Sequence, residues 1–385
     1  MGSLASNFSI RDRTQFFVSL DDRIAALGGL FNAHLHIDRA ETLGATLELL
    51  GCADLSEASA ISLSGKHALI PTVHASACYD PFSLEMRVTN CLERLAALGT
   101  VRADSVVDVT DDRVGFEALD RLLCVADRLR GSIDFRVGAY SPLGFRDDAP
   151  RRWEMIEQAA PRADFLGALP ERDDRQDYPD HIGFEESCRR FIGLAHSTGK
   201  TLHLHVDQRN HDREAGAELV LRLSREMGLG REVRAEPLIW LIHMISPSTY
   251  DEERFAALAA GLAEEGIGVI CCPSAAISMR QIRPIASPTG NCIARVLELL
   301  AAGVHMRLGS DNVCDITSPA GTLDLRDELF VLVHALRFYD FGVLARLAAG
   351  QPLTPEERAR VMAHIDADRR EVDTAIARYR IMGVR

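Results

Sequence analysis

Short hydrophobic segments alternate with longer amphipathic segments from about Gly28 onward. The short segments are typical of buried strands, and the longer ones carry the spacing of helices with one apolar face. The predicted strands are Gly28–His34, Asp104–Val109, Asp134–Tyr140, Asp164–Leu169, Thr201–Val206, Ile239–Met244, Gly268–Pro273 and His305–Asp311. The predicted helices include Phe82–Leu98, Gly115–Leu129, Phe184–Ser197, Glu214–Met227, Asp251–Glu265 and Asn291–Ala302. This alternation predicts an α/β fold, a (β/α)8 barrel of the TIM type.

An open, doubly wound parallel sheet is the alternative fold for the same pattern. Such sheets bind dinucleotides through a glycine-rich loop after the first strand, and no such loop follows Gly28–His34. We therefore expect an N-terminal segment (residues 1–27), a barrel (28–340) and a C-terminal helical extension (341–385).

The chain beyond His334 is predicted to be entirely helical. Thr354 as the N-cap, Pro355 at the first helical position and Glu357 have the spacing of a capping box. The apolar residues of this helix share one face, which predicts packing against the barrel or a second subunit. They are Val361, Ile365, Val372, Ile376 and Tyr379.

Composition restricts the partners and the compartment. The 385 residues include 43 Lys plus Arg and 56 Asp plus Glu, so the net charge is −13. An acidic surface argues against nucleic acid or an anionic membrane as the main partner, and the chain has no apolar run long enough to span a membrane. Nine cysteines without paired CxxC motifs, and charges where a signal peptide needs an apolar core, favour the cytoplasm.

Histidines mark the ends of several predicted strands. His34 and His36 close the first strand, and side chains two residues apart on a strand point to the same side. His205, His243 and Asp311 end the fifth, sixth and eighth strands. In a barrel these ends converge on the face where active sites are built. Imidazoles with a carboxylate predict a site for Zn²⁺ or a similar transition ion.

These motifs resemble the amidohydrolase superfamily, on its branch of cytosine deaminases and N-isopropylammelide amidohydrolases. The likeness runs from about Phe31 to Phe338 and includes GALPERDD at the fourth strand, HVDQ at the fifth, IHMIS at the sixth and GSDNVCD at the eighth. The resemblance implies one divalent metal ion per chain, with Zn²⁺ preferred over Fe²⁺ or Mn²⁺. The ligands that it implies are His34, His36, His205 and Asp311. It also implies that Asp311 moves protons and that His243 stabilises developing charge.

The chain departs from cytosine deaminases at Gln208, Asn312, Pro142 and Thr317. Gln208 stands where those enzymes use a glutamate to shuttle protons, and an amide cannot do so at neutral pH. Cytosine itself is therefore not the expected substrate. Gln208 either hydrogen-bonds a substrate carbonyl or ring nitrogen, or it only orients His205 or caps a loop. We favour the first interpretation and count Gln208 with Asp311 and His243 as catalytic.

Other residues around the predicted barrel mouth are candidates for substrate binding. Arg280 and Arg283 follow the seventh strand and could hold an anionic or carbonyl-rich substrate. Glu171 after the fourth strand is either a second acid or a helix cap. Asn312 follows Asp311, and Asp108 in the second strand is a candidate partner for a ligand histidine.

The leading hypothesis is a metal-dependent hydrolase that adds water to a C–N bond of a small nitrogen heterocycle and releases an exocyclic amine. Ring opening of a cyclic amide or imide is the alternative reaction. A catalytically silent metal-binding barrel that acts as a binding protein is the alternative from another class. The amphipathic C-terminal helix, and the oligomeric state that the resemblance implies, favour a homo-oligomer.

Overall fold

Eight parallel strands pair in chain order to form one sheet. The structure is a computed structural model that describes residues 14–51, 61, 63–231, 234–278 and 293–381. The strands are β1 (Leu30–Leu35), β2 (Thr100–Asp108), β3 (Asp134–Tyr140), β4 (Phe165–Ala168), β5 (Thr201–Val206), β6 (Ile239–His243), β7 (Gly268–Cys271) and β8 (Met306–Leu308).

Helices follow the strands and cover the outside of the sheet. They are α1 (Gln15–Ala26), α2 (Leu43–Leu50), α3 (Leu63–Ala68), α4 (Ile70–Ala75), α5 (Pro81–Ala97), α6 (Glu117–Leu129), α7 (Arg151–Ala159), α8 (Phe184–Thr198), α9 (Gly216–Met227), α10 (Glu252–Glu264), α11 (Pro273–Ile277), α12 (Val296–Ala302), α13 (Leu325–Leu336), α14 (Phe341–Ala348) and α15 (Pro355–Ile381). No helix in this part of the chain combines the length and the apolar character that a bilayer-spanning segment needs.

The sheet curls until its last strand meets its first. Leu35 and Asp311 form a parallel bridge. Beside it, the Ser310 backbone N–H donates to Asn32 Oδ1 at 3.0 Å, and Asn32 Nδ2 donates to Ser310 Oγ at 2.9 Å. Backbone and side-chain bonds thus join β8 to β1. The predicted (β/α)8 barrel is confirmed.

All eight predicted strands are present, but most of them begin or end at a different residue. β3 and β5 have the predicted bounds, whereas β2 begins at Thr100 instead of Asp104. The last strand is shorter than predicted, because the ladder ends at Leu308 and Asp311 follows in a left-handed conformation with φ 60°. The chain therefore leaves β8 before it reaches the predicted ligand.

Large side chains fill the lower part of the barrel. Trp240 is fully buried and packs with Phe31, Ile242 and Ile270. The neighbouring strand carries Gly268, where a Cβ atom would overlap the Trp240 ring. The filled interior leaves the carboxyl ends of the strands as the place for a site.

The C-terminal region is helical but interrupted, so the prediction of continuous helix beyond His334 was wrong. Arg337 has φ 52° and ends α13. Asp340 then caps α14 by accepting from the Val343 N–H at 3.0 Å. The predicted capping box is confirmed, since Thr354 N donates to Glu357 Oε2 at 2.9 Å and Glu357 N donates to Thr354 Oγ1 at 3.2 Å.

Helix α15 packs along only part of its length. Val361 is fully buried and Ile365 is half-buried, whereas Val372 and Ile376 are 48% and 42% exposed. The side chain of Tyr379 lies outside the described part of the chain. The first half of the predicted apolar face therefore packs against the body of the protein, and the second half lies at the surface.

Candidate active site

Four side chains at the carboxyl ends of β1, β5 and β8 gather in one buried group. One donor atom from each of His34, His36, His205 and Asp311 lies within 4.8 Å of the other three. The Nε2 atoms of His34 and His205 are 3.0 Å apart, and His36 Nε2 lies 3.3 Å from Asp311 Oδ1. The barrel thus brings together the residues that the resemblance implied as ligands.

The backbone around this group is tied down and strained. Asp311 N donates to His34 O at 2.9 Å, which holds the end of β8 against β1. Asp311 has φ 60° and His243 has φ 74°. Left-handed conformations of non-glycine residues cost roughly 1–3 kcal/mol and persist where the surrounding structure enforces them, often at active sites.

Burial keeps the histidines in the form that binds metal. Burial, and then the neighbouring histidines, lower the pKa of both His34 and His205, so these rings are neutral. His205 Nδ1 lies 2.9 Å from the carbonyl oxygen of Ala168. A carbonyl can only accept, so Nδ1 carries the hydrogen and Nε2 keeps a lone pair for an ion.

Asp311 supplies the negative charge of the group. Burial works against its charged form, but the close contact with His36 and the other nearby histidines keep its pKa below the ordinary value. Its Oδ1 atom is buried and has no hydrogen-bond partner among the described residues. An unsatisfied buried acceptor costs roughly 1–3 kcal/mol, and a cation held by the four donors would satisfy it. The donor set therefore suits one divalent metal ion.

His243 lies against this group at the end of β6. Its Nε2 atom is 3.7 Å from Asp311 Oδ2, and its ring centroid is 5.5 Å from that of His205. Burial lowers the pKa of His243. Its Nδ1 atom is buried without a partner among the described residues. The ring thus lies beside Asp311 Oδ2, outside the four-donor group, where the resemblance implied a charge-stabilising residue.

Gln208 and Glu171 contact each other. Gln208 is buried after β5, and half-buried Glu171 lies in the 3₁₀ turn Pro170–Asp173 after β4. The Gln208 backbone N–H donates to Glu171 Oε1 at 3.2 Å, and Gln208 Nε2 lies 3.2 Å from Glu171 Oε2. No hydrogen bond joins Gln208 to His205 within the described residues, whereas the bonds to Glu171 connect the loops after β4 and β5. The role of Gln208 in substrate binding stays a prediction.

Of the remaining candidates for substrate binding, the structure describes only Asn312. Asn312 is buried and its Nδ2 donates to Asp315 Oδ2 at 2.6 Å, which ties down the loop after β8. Its role in substrate binding stays a prediction. Arg280 and Arg283 lie outside the described residues.

Two residues beside the histidines were missed by the sequence analysis. Tyr140 ends β3, and its ring centroid lies 5.4 Å from that of His36 and 5.7 Å from that of His205. The guanidinium of Arg39 contacts His36 Nδ1 and lies 5.9 Å from the Tyr140 ring. The strand-end rule that selected His205 would also have selected Tyr140.

A buried charge network lies behind Arg39. Asp108 Oδ2 is 3.6 Å from Arg39 Nε and 2.9 Å from His74 Nε2, and His74 Nδ1 is 2.6 Å from Asp112 Oδ2. Burial opposes a charge on His74, but the hydrogen bonds to the two carboxylates outweigh it and raise its pKa to about 9. Asp108, expected to contact a ligand histidine, contacts Arg39 and His74 instead.

Comparisons with known proteins find similar folds. No family model matches the chain. An uncharacterized protein of Haemophilus influenzae is 28% identical over 265 residues, which cover 68% of this chain and 86% of that protein. The 5-methylcytosine deaminase from Klebsiella pneumoniae, solved with phosphonocytosine, has a TM-score of 0.70 at 21% identity, over 87% of this chain and 75% of that chain.

The N-isopropylammelide isopropylaminohydrolase from Burkholderia multivorans has a TM-score of 0.63 at 21% identity, over 87% of this chain and 82% of that chain. These neighbours are thus named as a deaminase and an aminohydrolase. At these identities the likeness establishes the fold. The chain shares the fold of this deaminase and this aminohydrolase, the fold that the resemblance in its motifs implied.

Proposed function

We propose that this protein is a mononuclear metal-dependent amidohydrolase that adds water to a C–N bond of a small nitrogen heterocycle. The observation that carries the proposal is the buried group of three imidazoles and one carboxylate whose donor atoms lie within 4.8 Å of one another. The fold supports it, because solved proteins with this fold are named as a 5-methylcytosine deaminase and an N-isopropylammelide isopropylaminohydrolase.

His34, His36, His205 and Asp311 would hold one divalent ion. Zn²⁺ is the first choice, since three nitrogens and one oxygen are ligands that it favours, and Fe²⁺ and Mn²⁺ are the alternatives. When bound, the ion supplies Lewis acidity, which lowers the pKa of water to about 7 and polarises the substrate.

Asp311 and His243 would handle protons and charge. Asp311 Oδ2 accepts the proton of the attacking water while the new C–O bond forms, and then gives it to the nitrogen as the C–N bond breaks. His243 Nε2, 3.7 Å from that oxygen, donates a hydrogen bond to the negative charge that develops on the substrate. The protein thereby releases ammonia or an amine without a net change in its own protonation.

Gln208 supports a substrate other than cytosine. It would recognise a carbonyl or ring nitrogen by hydrogen bonding, and Asn312, Arg280, Arg283 and Glu171 are the further residues that we propose for substrate binding. Loss of an exocyclic amine is the proposed reaction. Ring opening of a cyclic amide is the second candidate. This reaction depends less on protonation of a ring nitrogen, which Gln208 cannot carry out.

The test combines metal analysis with a turnover screen. Purified protein is analysed for metal and then assayed for ammonia or amine release on pyrimidines, triazines, pterins and hydantoins. About one metal ion per chain with nitrogen release supports the proposal, and turnover without released nitrogen supports ring opening. Metal without turnover on the whole panel contradicts an enzymatic role and favours a silent binding protein.

A matched pair of variants controls this test. His205→Ala removes one member of the buried group, whereas His334→Ala removes an exposed histidine of α13. We expect His205→Ala to lose both bound metal and turnover and His334→Ala to keep both. Equal metal content in the two variants would contradict the proposed ligand set.

The proposal extends to a cytoplasmic homo-oligomer. The cysteines of the described chain are free, as in reducing compartments. The exposed Val372 and Ile376 on α15 are suited to a contact between subunits. Sedimentation velocity with Val372→Glu as the variant tests the assembly: a shift from oligomer to monomer is expected, and a monomeric wild type contradicts it.

A further inference from the structure

Glu171 and Gln208 form a pair across the loops that follow β4 and β5. They are 37 residues apart in the chain, and both oxygens of the Glu171 carboxyl face Gln208. Oε1 accepts from the Gln208 backbone N–H at 3.2 Å, and Oε2 lies 3.2 Å from the side-chain amide nitrogen. The amide oxygen of Gln208 has no hydrogen-bond partner in the described part of the chain. Glu171 thus holds one end of the amide, and the other end is left for a ligand.

The protonation state of Glu171 decides which end of the Gln208 side-chain amide it binds. The backbone N–H can only donate, so Glu171 Oε1 is an acceptor in both states. An ionised carboxylate also accepts at Oε2 and can bind only the NH2 end of the amide, which leaves the carbonyl oxygen for a ligand. A protonated carboxyl donates from Oε2 and binds the carbonyl end, which leaves the NH2 group.

We propose that Glu171 is a specificity-determining positioning residue whose carboxyl decides which end of the Gln208 amide faces the substrate. With Glu171 ionised, Gln208 selects an edge of the heterocycle that donates an N–H. With Glu171 protonated, Gln208 selects an edge that accepts through a carbonyl or ring nitrogen. The inference rests on the proposed function, because it assigns Gln208 to substrate recognition at that site.

The surroundings of Glu171 allow both its protonated and its ionised form near neutral pH. Burial, and then the negative charge of Glu214, raise the pKa of Glu171 to about 8, with Arg209 opposing and Asp207 adding to the rise. Glu171 also lines a cavity of about 600 Å³, so its carboxyl can exchange protons with solvent. The other charged and titratable residues that line this cavity are Asp174, Asp207, Arg209, His211, Arg213 and Glu214. We therefore expect the two arrangements to exchange near pH 8.

The direct test is a pH titration of the Gln208 side-chain amide by ¹H–¹⁵N correlation NMR on zinc-loaded protein. Its signal is assigned by its absence in Gln208→Glu. In the wild type we expect the signal to shift with a midpoint near pH 8. Glu171→Gln is neutral at every pH and donates to the carbonyl end, so the signal should stay at its low-pH position.

Asp174→Asn is the matched control. Asp174 lines the same cavity and lies 3.4 Å from Arg209, but it does not contact Gln208. We expect this variant to keep the titration with a midpoint shifted by less than about one pH unit. A wild-type signal that does not move with pH, or one that titrates unchanged in Glu171→Gln, overturns the proposal.

Kinetics test the consequence for specificity. On a substrate from the turnover screen, kcat/KM of the wild type should change by about tenfold across pH 8, mainly through KM, as expected for one exchanged hydrogen bond. Glu171→Gln should remove this inflection, and Asp174→Asn should keep it. An inflection that survives in Glu171→Gln refutes the specificity role. Failure of the proposed function would be seen separately, as zinc-loaded wild type without turnover, and the NMR titration would still decide the positioning of Gln208.

Discussion

Replacement of His74 by Gln removes a charged ring from the network behind Arg39. The His74 side chain is 1% exposed and bonds Asp108 at 2.9 Å and Asp112 at 2.6 Å. Glutamine can bond one of these carboxylates but carries no charge. The variant therefore leaves two buried or half-buried negative charges without their shared cation.

The pKa of His74 gives the size of the effect. It is about 9 in the folded protein against an ordinary value of 6.5, and about 1.36 kcal/mol for each pKa unit converts the difference to about 3 kcal/mol. Because the folded pKa is raised, this stabilisation is complete below pH 6.5 and is lost as the pH rises through 9. The free energy of unfolding should therefore depend on pH in a way that the variant lacks.

Urea unfolding between about pH 6 and pH 10 measures this difference, with zinc at a constant saturating level. We expect the wild type to exceed His74→Gln by about 3 kcal/mol at the acidic end and by less than about 1 kcal/mol at the alkaline end. His334→Gln, a control at an exposed site, should stay within about 0.5 kcal/mol of the wild type throughout. A gap between wild type and His74→Gln that is the same at every pH would show that a raised His74 pKa does not stabilise the folded protein.

Four further substitutions test the site, the C-terminal helix and the barrel interior. His243→Asn should keep its bound metal, measured by elemental analysis, and lose roughly 100-fold or more in kcat, because it removes a donor to developing charge; an unchanged kcat contradicts that role. Thr354→Ala should lower the free energy of unfolding by about 1 kcal/mol through loss of the capping bond to Glu357, and Glu357→Ala should lose a similar amount; no loss in urea melts contradicts the capping box. Gly268→Ala should cost about 1–3 kcal/mol in the same assay because its Cβ overlaps the Trp240 ring, and a neutral effect would contradict the packing.

The sequence predicted the barrel because the alternation of strands and helices is visible in the local periodicity of apolar residues. Segments such as Thr201–Val206 are short, carry apolar residues at every second position and are bounded by polar turns, and β5 has these bounds. Prediction was poorest where tertiary contacts override the local pattern. The predicted last strand ran to Asp311, yet β8 ends at Leu308 and the Asp311 backbone N–H bonds His34 O instead.

The candidate ligands were found because strand ends of a barrel converge, whatever their distance in the chain. The same geometry places Tyr140 beside His36, but an aromatic residue in a strand is more often part of the core. His74 had no such signal, because its partner Asp108 is 34 residues away and their contact requires α4 to pack beside β2. Pairing of Glu171 with Gln208 likewise depends on the paths of two loops.

Anomalous diffraction at the zinc edge, from crystals of the zinc-loaded protein, is the sharpest test of the proposed metal site. We expect one anomalous peak per chain, at about 2.0–2.2 Å from a nitrogen of each of His34, His36 and His205 and from an oxygen of Asp311. A zinc peak that lies away from these four residues in fully loaded protein would show that they do not form the site.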